Sequence, residues 1–310
     1  MPVVLGLASS HAPSMFAPPD TWPQIHKGLT RGLPQPPKLG EETPDVIAQQ
    51  ATRVHQGFAT LAKAIQDEKI DLVVLVGDDQ TEVFNGACIP AIGIYIGEGV
   101  SGTTSISWIG EKPEDNHIFL KGAPEIGKKL VKFLVQKDFD PTWSDKLHPL
   151  GKPAAGIGHA FSRIARAMKI GDTDMPIIPV FLNGYHPPLP TGARCYALGR
   201  AICAFFEKRP ERVAIYGSGG MSHCPVGPRA GWVDEPLDRW VIERIESGEG
   251  DQLQNLFLID SDTLRSGTGE LRSWITVQGA FDGVAGKVLD YIPSVHAVTG
   301  LGFALWKREA

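Results

Sequence analysis

Leu72-Val73-Val74-Leu75-Val76-Gly77-Asp78-Asp79-Gln80 runs five apolar residues straight into two acids and an amide. An unbroken apolar run of strand length, with no polar alternation, predicts a strand buried on both faces of its sheet. The three polar residues then stand at its C-terminal end. Residues 2–8, 90–96, 177–182, 213–216 and 300–306 read as further strands. Helical patterns lie between them, over 122–136, 158–168, 192–207, 234–247 and 270–280. Strands alternating with helices predict an α/β fold: a single large domain over 1–310, with a central, mostly parallel or mixed sheet covered by helices on both faces. In such sheets ligands bind beyond the carboxyl ends of the strands. His11, Asp79 and Gln80, Asn183 and His223 each follow a predicted strand, so topology alone gathers them at one edge.

Thr43-Pro44-Asp45 reads as a helix N-cap, a proline at the first helical position and a first-turn acid. That helix should run to about residue 68, with Ile47, Ala51, Val54, Phe58, Leu61 and Ile65 on its buried face. Residues 17–44 carry seven prolines (Pro18, Pro19, Pro23, Pro34, Pro36, Pro37, Pro44). This composition argues against a helix there and predicts a packed functional loop, a candidate lid or subunit contact.

The 310 residues, 42% hydrophobic and 21% charged, are those of an ordinary globular protein. A net charge of −5 with no block of like charge gives no footprint for nucleic acid. The longest uncharged stretch holds Pro90 and several glycines and is too short for a membrane span. The first residues, Met1 to Gly6, lack a basic leader and read as a strand. Cys88, Cys195, Cys203 and Cys224 are widely spaced, with no C-x-x-C pair, and are expected as free thiols in a reducing cytoplasm.

Four short signatures carry the chemistry: Ser9-Ser10-His11-Ala12-Pro13, Gly158-His159-Ala160-Phe161, Gly217-Ser218-Gly219-Gly220-Met221-Ser222-His223, and Gly267-Thr268-Gly269-Glu270 ahead of Trp274. Together they resemble the class III extradiol ring-cleaving dioxygenases, the family of the protocatechuate 4,5-dioxygenase β subunit. The resemblance extends over most of the chain and thins in the proline-rich loop and around 98–150. It implies Fe(II) as cofactor, with His11 and Glu270 as ligands. It also implies His223 as the acid–base histidine, His159 as a second pocket histidine, and a small catechol or gallate-type aromatic with dioxygen as substrates. A homo-oligomer, or a partner subunit of a heteromeric assembly, is the expected quaternary state. Two imidazoles and one carboxylate on one face of a metal are what a non-haem Fe(II) oxygenase uses. A histidine titrating near neutrality can take a proton from a catechol and return it later.

The family pattern ends the segment matching Val76 to Gln80 in Asp-His, and that histidine binds iron; here the position is Gln80. An amide oxygen is a neutral, weaker donor. Three readings follow. The site holds metal through Gln80 or Asp79 and cleaves a ring; or His159 and His223 form an acid–base pair on a phenolic substrate without metal, as a lyase or hydrolase; or the chain is a non-catalytic partner subunit. Arg229, soon after His223, is a candidate contact for a substrate carboxylate, and Asn183 a second substrate contact. Phe16, Trp22, Trp108 and Phe161 are candidate pocket walls. Of the remaining histidines, His148 and His186 are the best placed to line a pocket.

Overall fold

The computed structural model describes residues 3–147 and 155–308. Its ten strands are β1 (Val3–Ser9), β2 (Leu72–Asp78), β3 (Ile92–Tyr95), β4 (Gly99–Thr103), β5 (His117–Lys121), β6 (Thr142–Ser144), β7 (Ile177–Leu182), β8 (Val213–Ser218), β9 (Lys287–Ser294) and β10 (Thr299–Lys307). Its seven α-helices are α1 (Trp22–Thr30), α2 (Pro44–Asp67), α3 (Pro124–Val135), α4 (His159–Ala167), α5 (Gly192–Phe206), α6 (Glu235–Glu246) and α7 (Leu271–Ala280). Eight strands form one mixed sheet in the order β6-β3-β7-β2-β8-β1-β10-β9, and β4 and β5 pair as a separate hairpin. The four central strands, β7, β2, β8 and β1, are mutually parallel.

The sequence of β2 explains the layering. Leu72, Val74 and Val76 pack into the core beneath α5 and α7, while Val73 and Leu75 pack into a second core with α2 and α4. A strand buried on both faces has no solvated side to alternate against. Because the central strands are parallel, their carboxyl ends share one edge. That edge carries Ser9, Asp78, Leu182 and Ser218, and the loops that follow hold the candidate residues.

Two expectations are corrected. The proline-rich stretch is not purely loop, because it contains α1, whose Pro23 sits in the first turn, where its missing N–H is not needed. Residues 24–33 are free of proline, which leaves room for the helix. β9, the hairpin of β4 and β5, and short β6 were not anticipated. β9 is an edge strand and carries Pro293, which an edge tolerates. The expected first strand begins at Val3 in the described residues. Among those residues no helix is long and apolar enough to cross a membrane.

α5 and α7 cross at backbone contact. A Cβ on Gly199 would lie 1.9 Å from the Thr276 carbonyl oxygen, and one on Gly279 would lie 2.0 Å from that of Tyr196. Neither neighbour can yield, since both are helical backbone. Gly279→Ala should therefore cost about 3 kcal/mol of stability, read as a lower urea midpoint. Gly40→Ala, with nothing within 4 Å of the added carbon, should stay within about 0.5 kcal/mol.

Candidate active site

The loops beyond β1, β2 and β8 and the start of α7 converge on three buried groups. His11 Nε2 lies 3.6 Å from Asp78 Oδ1 and 3.5 Å from Glu270 Oε2. His11 Nε2 and both Asp78 carboxylate oxygens are buried without any hydrogen-bond partner. Three polar atoms left so, with one donor atom from each of His11, Asp78 and Glu270 within 4.8 Å of the others, are costly unless something positive sits among them.

The histidine is oriented for that duty. The Ser218 hydroxyl donates to the Ala160 carbonyl (2.6 Å), so at 2.9 Å it accepts from His11 Nδ1–H. Nε2 is thereby the position that faces the two carboxylates, carrying the lone pair when the ring is neutral; burial opposes protonation there, but Glu270 and then Asp78 outweigh it and raise the His11 pKa. Glu270 is held ionised. It accepts from the Gly220 amide at Oε2 (2.6 Å), and from the Tyr185 hydroxyl (2.5 Å) and the Gln80 amide (3.1 Å) at Oε1. Burial works to raise its pKa, but His223 and His11 outweigh that and hold it well below the usual range. Asp78 has no such support: burial first, then the neighbouring Glu270 charge, push it up to about 8.

Two more imidazoles face the same space. His223 donates Nδ1–H to the Met221 carbonyl (2.8 Å), which leaves Nε2, 3.3 Å from Glu270 Oε1, as its exchangeable position. Its pKa is raised: burial opposes this and Glu270 drives it. Gly267 makes room for this ring, since a Cβ there would come 2.1 Å from His223 Nε2. His159 stands edge-on to His11, ring centres 4.9 Å apart. Its Nδ1 and backbone N–H are both held by Glu82, at 2.7 and 3.1 Å. Burial lowers the pKa of His159. Glu82 is brought down to about 2, because attraction and hydrogen bonds from His159 overcome its own burial. His11, Gln80, Glu82, His159, His223 and Glu270 line a cavity of about 460 Å³, with Leu29, Trp108 and Val298 also on its wall.

Residues 8–302 match the family described as the catalytic LigB subunit of aromatic ring-opening dioxygenase. The chain belongs to this LigB family. It is similar to the 2,3-dihydroxyphenylpropionate/2,3-dihydroxicinnamic acid 1,2-dioxygenase of Photorhabdus laumondii, 28% identical over 207 residues, which are 66% of this chain and 59% of that one. The corresponding protein of Comamonas testosteroni is 26% identical over 204 residues, 64% of this chain and 56% of its own. The chain thus matches under two thirds of the length of these relatives. An uncharacterized protein of Escherichia coli K12, JW3007, shares the fold at a TM-score of 0.50 and 16% identity, covering 97% of this chain and 99% of its own.

Within the LigB-family scaffold, the expected residues divide. His11, Gln80, His159, His223 and Glu270 do meet at one cavity. Asp79 does not join the cluster: its carboxylate accepts the Val83 and Phe84 amides (2.8 and 3.0 Å) and caps its own loop. Asp78, one residue earlier, is the acid that lies beside His11 and Glu270. Gln80 donates its amide N–H to Glu270 and so supports a carboxylate. Asn183 spends its side chain on its own turn, accepting from the Tyr185 and His186 amides, and that turn aims Tyr185 at Glu270. Arg229 lines a neighbouring cavity of about 230 Å³ that shares His223, and donates to Thr263. Trp108 is a pocket wall; Phe16 lines a different cavity, and Trp22 and Phe161 are core. His186 is not among the cavity residues, and His148 lies outside the described ones. All four cysteines are free.

Sequence reading missed Glu82, Arg163, Tyr185 and Ser218. Arg163 was findable, because it lies four residues after His159 on one helix and so shares its face.

Metal should bind at the expense of the proton on Asp78. Asp78 holds that proton more tightly folded than unfolded, so its contribution to metal-free stability declines as pH climbs from the ordinary carboxylate range through about 8. Metal-free Asp78→Asn should therefore melt above the wild type at pH 8, the gap closing near about pH 4. Added Mn(II) should raise the melting temperature of the wild type and leave the variant unmoved.

Proposed function

We propose that this chain is a metal-dependent extradiol dioxygenase, cleaving a catechol-type ring with dioxygen. The observation that carries the reading is the set of orphaned donors, His11 Nε2 and the Asp78 oxygens beside Glu270, at the foot of a cavity walled by two more histidines. The donor set suits a divalent cation: two carboxylates offset its charge and one correctly oriented imidazole adds a nitrogen. It is harder and more anionic than a two-histidine site, and is open to Mn(II) as well as Fe(II). What such an ion supplies when bound is a place for a catechol and dioxygen side by side, and a route for electrons between them.

The chain's own groups do the rest. His223 Nε2 takes a proton from a substrate hydroxyl and returns it to the product side, its other nitrogen being fixed on Met221. His159, with Nδ1 locked on Glu82, directs Nε2 at the cavity as a hydrogen-bonding group of constant tautomer. Leu29, Trp108 and Val298 give one side of the cavity an apolar lining. One carbon–carbon bond of the ring breaks and both oxygen atoms enter the product, so no outside reductant is required. The relatives named as dioxygenases act, by their names, on ortho-dihydroxylated aromatics. The His159–Glu82 pair also supports a second reading, acid–base chemistry on a phenol without oxygen.

Oxygen uptake separates the two. The Fe(II)-loaded protein should consume dioxygen in step with a catechol and form a coloured ring-opened product. Turnover without oxygen consumption, unaffected by chelator, would overturn the proposal. His223→Ala should lower kcat by about 10²–10⁴-fold while metal content holds. Gln80→His should bind Fe(II) more tightly than the wild type, measured by competition with a chelator.

A further inference from the structure

Among the described residues, Arg163 is the one strongly charged group on the cavity wall that neither the cluster nor the histidines use. It sits one turn beyond His159 on α4 and is 5% exposed. Its Nη2 donates to the Ser105 carbonyl at 3.0 Å, its Nε is buried with no hydrogen-bond partner, and it forms no ion pair among the described residues. The two carboxylates whose fields reach it are occupied: Glu82 holds His159, and Glu111 accepts the Ile106 amide at 2.8 Å. Burial lowers its pKa, but only to about 10, so the guanidinium is charged at neutral pH. A buried cation with no anion in contact is costly, and a ligand carboxylate is what its fork of N–H groups matches.

Arg163 lines both this cavity and a neighbouring one of about 900 Å³, and toward the first its position suits a substituent on the substrate. Four residues of helix advance about 6 Å, close to the span of one aromatic ring. A ring with its hydroxyls at His11 and Glu270 and an edge along His159 would present its far side to Arg163. Thr103 and Ser105 line the same wall. Arg229, the residue sequence reading favoured for this task, faces the smaller cavity instead.

We propose that Arg163 binds a carboxylate carried by the aromatic substrate, so that the site selects acidic catechols over neutral ones. This rests on the ring-cleaving reading, yet it can be tested without turnover. Under anaerobic conditions, 3-hydroxybenzoate and 3-hydroxybenzamide are titrated against the metal-loaded protein and followed by tryptophan fluorescence. The wild type should bind the acid at least about tenfold more tightly than the amide, as a charge-assisted bidentate contact requires. Arg163→Met should abolish that preference and leave amide affinity within about twofold. Arg163→Gln, which keeps a donor for the Ser105 carbonyl, should do the same should the methionine variant fail to fold. Equal affinity of the wild type for acid and amide, or a preference that survives in either variant, would overturn the proposal. An acid preference lost in the variants, in a protein that takes up no oxygen, would sustain the anion site and sink the dioxygenase.

Discussion

Two carboxylates, Asp78 and Glu270, lie buried side by side next to an imidazole whose Nε2 is turned toward them, and much of the surrounding chain exists to keep them there. Burial first, and then the charge of Glu270 beside it, drive Asp78 up to about 8, while attraction to His223 and His11 outweighs burial at Glu270 and keeps it ionised. The fold offsets this with position. β2 ends on Asp78, α7 begins after Glu270, and β1 delivers His11 at the same edge of the sheet. Trp274, in the first turn of α7, donates its indole N–H to the Gly219 carbonyl at 2.8 Å, tying the glycine-rich turn to the helix that carries Glu270. The arrangement is unfavourable empty and favourable around a cation, which is the logic of a binding site rather than of a stabilising core.

Much of this was legible in the chain. The unbroken apolar run of β2 fixes a strand buried on both faces. The parallel central strands then place His11, Gln80, His223 and the 183–186 turn at one edge. Which of two adjacent acids meets His11 and Glu270 was not legible. Successive strand residues point to opposite sides, so a shift of one position exchanges Asp78 for Asp79. The sequence also gave no sign that Asp79 would spend its oxygens on Val83 and Phe84. α1 was hidden by counting prolines without noting that Pro23 falls in a first turn. β9 was hidden because an edge strand with a proline lacks the apolar signature of its central neighbours.

Gln80 changes meaning in this setting. Read alone, it looks like a lost ligand. In the structure it donates to Glu270, while Asp78 offers the oxygens that face His11. Against the family pattern, such a donor set offers a negative oxygen in place of a neutral nitrogen, which would make the site harder and more dependent on the charge of any ion bound there. Far from the cluster, Glu42 accepts the Val295 and His296 amides and the His296 ring, and so pins the turn that carries Ala297 and Val298 into the cavity wall. The cavity is thus framed from many separate parts of the chain, from His11 to Thr299, which ties its shape to the integrity of the whole sheet.

The most direct test is anomalous diffraction from crystals soaked anaerobically in Mn(II) or Fe(II). The account predicts a single strong peak bounded by His11 Nε2, an Asp78 oxygen and Glu270. A peak ligated by Gln80 or Asp79 with Asp78 turned away, or no peak in this cavity at all, would contradict it.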